Sequence, residues 1–302
     1  MCIISAIMTM GVNISWGYAG VINFGVMGFL AIGGLAAVLV SYPPIKEAWQ
    51  VGGSGLGISF ILLIALVTAV YFISKVVQKK SHKYWLNGIV IFFGMIIIRY
   101  FFLNATNRIE EVDPALAGFL GGANLPIIFS WVVGGFFAGG VAFVIGKVAL
   151  GLRSDYLAIV TLGISEIVVS VLKHEEWLSR GVKNVIGLKR PVPYEINLQT
   201  SDWFINMVAW FNSSNLNNIT DIDQRQEVLN NLIIDSSGLF VKLNYAVLFF
   251  MVMIVIYYFA NKAQISPWGR MMRAIRDNEI SANAMGKDIV KQHLIIFVIG
   301  AA

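Results

Sequence analysis

The sequence has little of what catalytic and extracellular proteins use: one cysteine, three histidines and few charged residues. The single cysteine, Cys2, excludes an intramolecular disulfide and a cysteine-based zinc site. The histidines, His82, His174 and His293, are far apart in the sequence, so we predict no metal site. Charged residues make up 13% of the chain, about half of their share in a typical soluble domain.

The sequence is instead rich in apolar residues. Hydrophobic residues make up 57% of the 302, and the mean hydropathy is +0.74. The apolar stretches are continuous rather than alternating, which is typical of membrane helices and not of membrane barrels. We therefore predict an all-α, polytopic integral membrane protein. We assign the net charge of +5 to cytoplasmic loops, so no nucleic-acid partner is expected.

Motifs for bond-breaking chemistry are missing from the sequence. The stretch Gly146-Lys147-Val148 lacks the upstream glycine and the Ser or Thr of a phosphate-binding loop. No Ser/His/Asp set, HExxH motif or carboxylate pair is present either. We therefore predict that this chain is not an enzyme and has no catalytic residues, no cofactor and no ATPase site of its own. If ATP drives transport, another polypeptide must hydrolyse it.

The sequence has eight apolar stretches, of which the first and the last are clearly shorter than the roughly 20 residues that a membrane span needs. The eight stretches are Cys2–Val12, Gly17–Val40, Leu56–Val77, Leu86–Leu103, Ile127–Leu150, Tyr156–Leu172, Leu243–Ala260 and a last one from Leu294. We predict about seven to eight spans in one membrane domain that covers residues 1–302. The last stretch is too short to span before Ala302, so we expect further spans beyond this sequence.

The second stretch is rich in glycine, which has two interpretations. Glycine lets membrane helices approach closely, and it also permits a broken helix near a transport path. The glycines are Gly17, Gly20, Gly25, Gly28, Gly33 and Gly34.

Basic residues in the short loops predict the orientation. The loops that contain Lys75, Lys79, Lys80 and Lys83, and later Lys147 and Arg153, are predicted inside. The loop with Glu110, Glu111 and Asp113 is predicted outside. By the same alternation, the long loop Lys173–Val241 lies outside and Lys262–Lys291 inside.

The long outside loop contains an aromatic patch of four residues, Trp203, Phe204, Trp210 and Phe211. Such a patch is typical of an interfacial helix that lies on the bilayer surface. It is also compatible with a docking surface for an external partner.

Two charged residues lie within predicted spans. Arg99 is near the outer end of Leu86–Leu103, where its side chain can reach the interface. Glu166 is in the middle of Tyr156–Leu172, where a charge costs about 2.5–3.5 kcal/mol on insertion scales. Glu166 is therefore a candidate for the translocation path or a hinge, or it makes a structural hydrogen bond or ion pair.

The segment Ser266–Gly286 has a basic, amphipathic pattern that is compatible with a helix. Pro267 suits the first helical turn, and Gly286 is a plausible stop. We predict an apolar side and a charged side for this helix. The apolar side contains Met271, Met272, Ile275, Ile280, Ala282 and Ala284, and the charged side contains Arg270, Arg273, Arg276 and Asp277. Composition alone also allows a helix that binds anionic lipid.

Three motifs in this chain resemble those of branched-chain amino acid ABC permeases. The first is Gly269-Arg270, Arg273-Ala-Ile-Arg-Asp-Asn-Glu279, Ala282 and Ala284-Met-Gly286. The second is Arg153 to Gly163 with Glu166-Ile167, which resembles the M-type subunit of the Leu/Ile/Val system. The third is Gly17-Tyr-Ala-Gly20 with Asn23-Phe-Gly25.

This resemblance implies an inner-membrane permease that is the transmembrane subunit of an ATP-driven importer. Its implied partners are a homologous second permease, two cytoplasmic ATP-binding subunits and a periplasmic substrate-binding protein. Residues Arg273 to Gly286 would form a coupling helix seated in the ATPase. The implied coupling residues are Arg270, Arg273, Arg276, Asp277, Glu279, Ala282 and Gly286.

Asn23, Thr161 and Glu166 are candidate residues of the translocation path. The chain departs from the family at Ser179–Val185, which replaces a Gly-Gly-x-Asn-Gly-type turn. The solute therefore stays open between a branched-chain amino acid and urea, a short amide or another amino acid. The alternative function is a secondary transporter or channel that uses Glu166 to carry a proton or bind a cation.

Overall fold

A computed structural model describes residues 1–76, 80–113, 118–151, 154–217 and 221–302. Val77, Lys79 and Arg153, which belong to the predictions above, lie outside the described residues. The described part of the chain forms helices and no strand. The helices are α1 (Cys2–Ala19), α2 (Val26–Ser41), α3 (Lys46–Val76), α4 (Lys80–Glu110), α5 (Ile127–Ala149), α6 (Ser154–His174), α7 (Glu176–Ser179), α8 (Glu195–Gln199), α9 (Asp202–Phe211), α10 (Ser213–Asn217), α11 (Ile222–Ile265), α12 (Pro267–Asp277), α13 (Glu279–Ala284) and α14 (Ile289–Ala301).

Six of the helices in the described residues are long and apolar enough to cross a membrane. They are α1, α3, α4 from His82 onward, α5, α6 from Tyr156 onward, and α11. The helices α2 and α14 are apolar but shorter. The prediction of an all-α polytopic membrane protein is therefore confirmed. The predicted span Gly17–Val40 is wrong as a single helix, because residues 20–25 are not helical and separate α1 from α2.

Helix α11 is much longer than the predicted span Leu243–Ala260. It has 44 residues, which is about 66 Å at 1.5 Å per residue. Its uncharged stretch runs from Leu243 to Asn261, between Lys242 and Lys262, and at the same rise is close to the roughly 30 Å of a hydrocarbon core. The first half of α11, Ile222 to Lys242, therefore extends beyond the bilayer. The predicted outside loop is thus largely helical.

The chain divides into two compact units. The first contains residues 1–30, 135–165 and 189–302. In it, α1 packs against α11, α12 and α14, and α8 and α9 pack against α11. A cluster of buried side chains joins α8, α9 and α11: Val192, Leu198, Phe204, Val208, Ile233 and Val241.

The predicted aromatic patch is divided between the inside and the outside of this unit. Phe204 is fully buried, and its ring lies 5.6 Å from that of Phe240 on α11. Trp203, Trp210 and Phe211 are exposed. The inclusion of Phe204 in an outer surface was therefore wrong, because α9 needs an apolar side to pack on α11.

The second unit contains residues 31–134 and 166–188. Its main feature is the packing of α3 against α4. Ala48, Ile109 and Leu120 form a small buried cluster. The indole nitrogen of Trp49 donates a hydrogen bond of 3.0 Å to the Leu120 carbonyl. This bond attaches the loop after α4 to the start of α3.

Candidate functional site

Helix α12 begins at the predicted position. The Ser266 hydroxyl accepts a hydrogen bond of 3.3 Å from the Gly269 amide, and Pro267 occupies the first turn. A serine cap followed by proline is a favourable helix start, because the cap satisfies a free amide and proline has none to satisfy. The sequence signal at this end was correct.

One side of α12 is firmly packed. Gly269, Met272 and Ile275 are buried, and the helix contacts α1 and α11. The guanidinium groups of Arg270 and Arg273 donate to carbonyls at the end of α11, those of Ile265 and Gln264, over 3.2 and 3.4 Å. Cations at a helix C-terminus satisfy free carbonyls and oppose the helix dipole. These two arginines therefore attach α12 to α11 while remaining exposed.

Arg276 attaches α12 to a different helix. Its guanidinium donates a hydrogen bond of 2.6 Å to the Gly17 carbonyl, in the last turn of α1. It also pairs with the exposed Asp277 carboxylate at 3.1 Å. Two residues after Gly17 the helix ends, and Gly20 adopts a left-handed conformation with φ of +73°, which glycine tolerates best.

The predicted single helix from Arg273 to Gly286 is wrong, because the helix is interrupted at Asn278. This residue is extended, with φ −157° and ψ 98°. Its side-chain oxygen then accepts a hydrogen bond of 3.0 Å from the Ser281 amide and caps α13. Asparagine is a favoured cap because its short side chain reaches this amide.

The break changes which residues of the segment face outward. Ile280 is 84% exposed, so its predicted place on the apolar side was wrong; Ala284 is also exposed. The reason is that an extended residue resets the rotation of the helix, so the pattern of α12 does not continue into α13. Within α13, which the structure describes completely, Ala282 is the buried residue. Gly286, with φ of +75°, ends the segment as predicted.

The structure brings two of the three candidate path residues together. Phe24 donates its amide to the Thr161 hydroxyl over 3.2 Å, and Gly25 donates its amide to the Asn23 side chain over 2.9 Å. Gly28 donates to the Ser165 hydroxyl over 2.7 Å. The hydroxyls of Thr161 and Ser165 on α6 thus accept hydrogen bonds from backbone amides that have no helical partner. In apolar surroundings such amides need an acceptor.

The glycines around this break take part both in the end of α1 and in close packing, while a transport path beside them stays a prediction. Gly20 ends α1, whereas Gly25 and Gly28 allow close approach to α6. A Cβ atom added at Gly25 would lie 2.8 Å from the Thr161 carbonyl oxygen, and one at Gly28 would lie 2.9 Å from the Ser165 Cα. The non-helical segment between α1 and α2 is therefore tightly packed against α6.

Glu166 lies elsewhere on α6. It follows Ser165 by one residue, which places it about 100° around the helix from that hydroxyl. Its side chain is exposed. Its role in a translocation path stays a prediction.

Sequence reasoning missed Ser165 and Asn278. Thr161 and Ser165 are four residues apart, so both hydroxyls lie on one face of α6, and this pair within an apolar helix was a usable signal. Asn278 was given no role of its own, although asparagine favours helix starts. Among the described residues, no group of three or more His, Cys, Asp or Glu side chains could hold a metal ion.

The fold and these contacts define a multi-pass helical membrane protein in which a buried, non-helical segment separates α1 from α2. The family described as "Branched-chain amino acid transport system / permease component" matches residues 1–302. The chain belongs to this family. It is 26% identical over 169 residues to the high-affinity branched-chain amino acid transport system permease protein LivM of Salmonella typhimurium. That match covers 56% of this chain and 35% of the relative, so it spans about a third of the relative's length. No solved structure matches the chain.

Proposed function

We propose that this protein is a permease subunit of an ATP-driven importer of branched-chain or related amino acids in the bacterial inner membrane. The observation that carries the proposal is the family match over residues 1–302. The similarity to a branched-chain amino acid permease supports the solute class. It also supports this function over a secondary transporter that uses Glu166.

The proposed partners are a second, homologous permease, two cytoplasmic ATP-binding subunits and a periplasmic substrate-binding protein. The sequence has no phosphate-binding loop, so in this scheme ATP hydrolysis is assigned to the partners. The segment 262–291 is assigned to the cytoplasm and 173–241 to the periplasm, because basic residues favour the inner side.

The contact for the ATP-binding subunits is assigned to α13 and its flanks. Ile280 and Met285 are 84% and 80% exposed in a segment that also presents Glu279. Large apolar side chains that project from a polar loop are typical of protein–protein contacts. Because α12 is packed on α1 and α11, force applied at α13 would reach the membrane helices through α12.

The path for the solute is assigned to the surroundings of the broken helix, with Asn23 and Thr161 beside it. Discontinuous helices in transporters commonly line substrate sites, because their free backbone groups can bind a polar solute. Here, the side chains of Thr161, Ser165 and Asn23 accept hydrogen bonds from three backbone amides at the break. These bonds favour a break that is a stable part of the transporter's structure.

Reconstituted transport tests the function. The complete transporter is placed in vesicles with ATP, and uptake of leucine, isoleucine and valine is measured with the ion gradients collapsed by ionophores. We expect uptake to continue under these conditions and to stop when the ATP-binding subunits are omitted. Uptake that persists without those subunits, or that stops when the gradients collapse, would contradict the proposal.

A pair of isoleucine variants tests the contact surface. Ile280→Asp is expected to weaken association with the ATP-binding subunit by about 30-fold, which corresponds to the roughly 2 kcal/mol of a hot-spot residue. Ile222→Asp is the matched control, because Ile222 is similarly exposed at 77% but begins α11. Equal weakening by both variants, or by neither, would count against α13 as the contact.

A further inference from the structure

Arg276 connects the exposed segment to the broken helix. It is in the last turn of α12, and its guanidinium donates to the Gly17 carbonyl over 2.6 Å. The two residues are 259 positions apart in the sequence. This contact differs from those of Arg270 and Arg273, which reach the neighbouring end of α11.

The contact occurs where α1 ends. Near this end, the Gly20 amide bonds to the Trp16 carbonyl and the Val21 amide bonds to the Ser15 carbonyl. Arg276 supplies a donor to the next carbonyl, that of Gly17. Its aliphatic part lies against the same turn, because a Cβ added at Gly20 would be 3.1 Å from the Arg276 Cγ. Charge, hydrogen bonding and packing therefore all act on one helix end.

Three residues beyond this turn, the chain is held by α6. The Phe24 amide bonds to Thr161 and the Gly28 amide to Ser165. A displacement of α12 that moves the Gly17 carbonyl therefore moves the start of the break, while its far end remains attached to α6. The break is the place where such a displacement would be absorbed.

We propose that Arg276 is a positioning residue that transmits movement of the α12–α13 segment to the break between α1 and α2. The proposal rests on the proposed function, since it takes nucleotide-driven movement as its source. Arg276 acts on the path through the end of α1 and makes no contact with the solute in this scheme. Its loss leaves the ATP-binding subunit bound but separates nucleotide binding from the conformation of residues 20–25.

The rate of thiol labelling at the break measures this transmission of movement. Cys2, the single natural cysteine, is exposed and is first replaced by serine. Phe24→Cys then places a thiol in the break at a position that is 56% exposed. In the assembled full transporter, we expect the maleimide labelling rate of this thiol to change by at least about threefold between the nucleotide-free and the ATP-bound, vanadate-trapped states, because a population shift alters its exposure.

Three substitutions separate a positioning role from a structural one. Arg276→Ala should abolish the nucleotide-dependent change in labelling while association with the ATP-binding subunit persists. Arg276→Lys keeps a cationic donor for the carbonyl and should retain most of the change. Lys242→Ala removes an exposed cation of α11 that is outside the α12–α13 segment, and it should behave as the parent. If Arg276→Ala does not assemble, Arg276→Gln is used and should show a reduced change.

The outcomes distinguish the two proposals. A full nucleotide response in Arg276→Ala, or in Arg276→Gln where that variant is used, overturns the role of Arg276 and leaves the proposed function intact. A parent that binds the ATP-binding subunits and hydrolyses ATP, but shows no change in labelling, also overturns it. A parent that does not bind those subunits overturns the proposed function and this inference together.

Discussion

Helical structure is interrupted at two places, residues 20–25 and Asn278, and the two breaks are stabilised differently. The first is largely buried: the Gly25 amide bonds to the nearby Asn23 side chain, and the Phe24 and Gly28 amides bond to side chains of α6 that are 137 residues away. The second is exposed, and its cap comes from the side chain of Asn278 itself. The comparison shows that both breaks have a local asparagine cap, and that the buried break also depends on a neighbouring helix.

This difference has a functional meaning in the proposed transporter. The break at residues 20–25 is attached to α6 at its far end and to α12 through Gly17 at its start, so in this scheme its shape depends on both helices. The break at Asn278 leaves α13 free to adapt to a partner. One break therefore suits a path for the solute, and the other suits a contact surface.

The largest expected effect is that of closing the buried approach with Gly28→Ala. The new methyl would lie 2.9 Å from the Ser165 Cα, and overpacking of this kind costs typically about 1–3 kcal/mol. We expect the upper part of that range, because the nearest atom belongs to the backbone. The measurement is the thermal unfolding midpoint in detergent.

The control for this substitution is Gly34→Ala on the same helix, where a Cβ has no atom within 4 Å among the described residues. We expect it to unfold at or slightly above the midpoint of the parent. Similar losses in both variants would mean that the approach to α6 is not the cause.

A smaller effect is expected when the hydroxyl that serves the buried break is removed. Thr161→Val keeps the shape but leaves the Phe24 amide without its acceptor, at a cost of about 1–3 kcal/mol. Thr68→Val is the control, because the Thr68 hydroxyl is exposed and bonds to carbonyls of its own helix. Comparable unfolding midpoints for the two variants would contradict the claim that the Thr161 hydroxyl stabilises the buried break.

The smallest expected effect is at the exposed break. Asn278→Ala removes the cap of α13, which is worth about 1 kcal/mol, and the loss is local because α13 has little buried surface. We expect faster amide hydrogen exchange at residues 281–284 with an unchanged unfolding midpoint. Asn278→Asp keeps the cap and should exchange as the parent does. A lowered midpoint in Asn278→Ala would show that this break is as coupled as the other.

The sequence predicts the parts of this structure that depend on neighbouring residues. The start of α12 at Pro267 and the end of the α12–α13 segment at Gly286 follow from local rules for helix starts and stops. The bonds of Phe24 and Gly28 to α6 join residues far apart in the chain, and a single sequence carries no direct signal of such pairs. The glycines near Gly20 therefore allowed two interpretations; close packing and a non-helical segment are both present there, and a transport path beside them stays a prediction.

The length of α11 was missed for a different reason. Hydropathy detects the stretch from Leu243, but the preceding part is polar and has no apolar run to report. Asp221, whose side chain accepts a bond from the Asp223 amide over 3.2 Å, caps the helix start. This cap and the good helix formers that follow, such as Gln226 and Glu227, were the signals available.

The central claim is that the ATP-binding subunit contacts α13. Photo-cross-linking tests it most directly: a photoreactive amino acid replaces Ile280 in the assembled transporter, with the same replacement at the similarly exposed Ile222 as the control. We predict a covalent product with the ATP-binding subunit from position 280 and none from position 222. A product from position 222, or none from position 280 in a transporter that hydrolyses ATP, would contradict the claim.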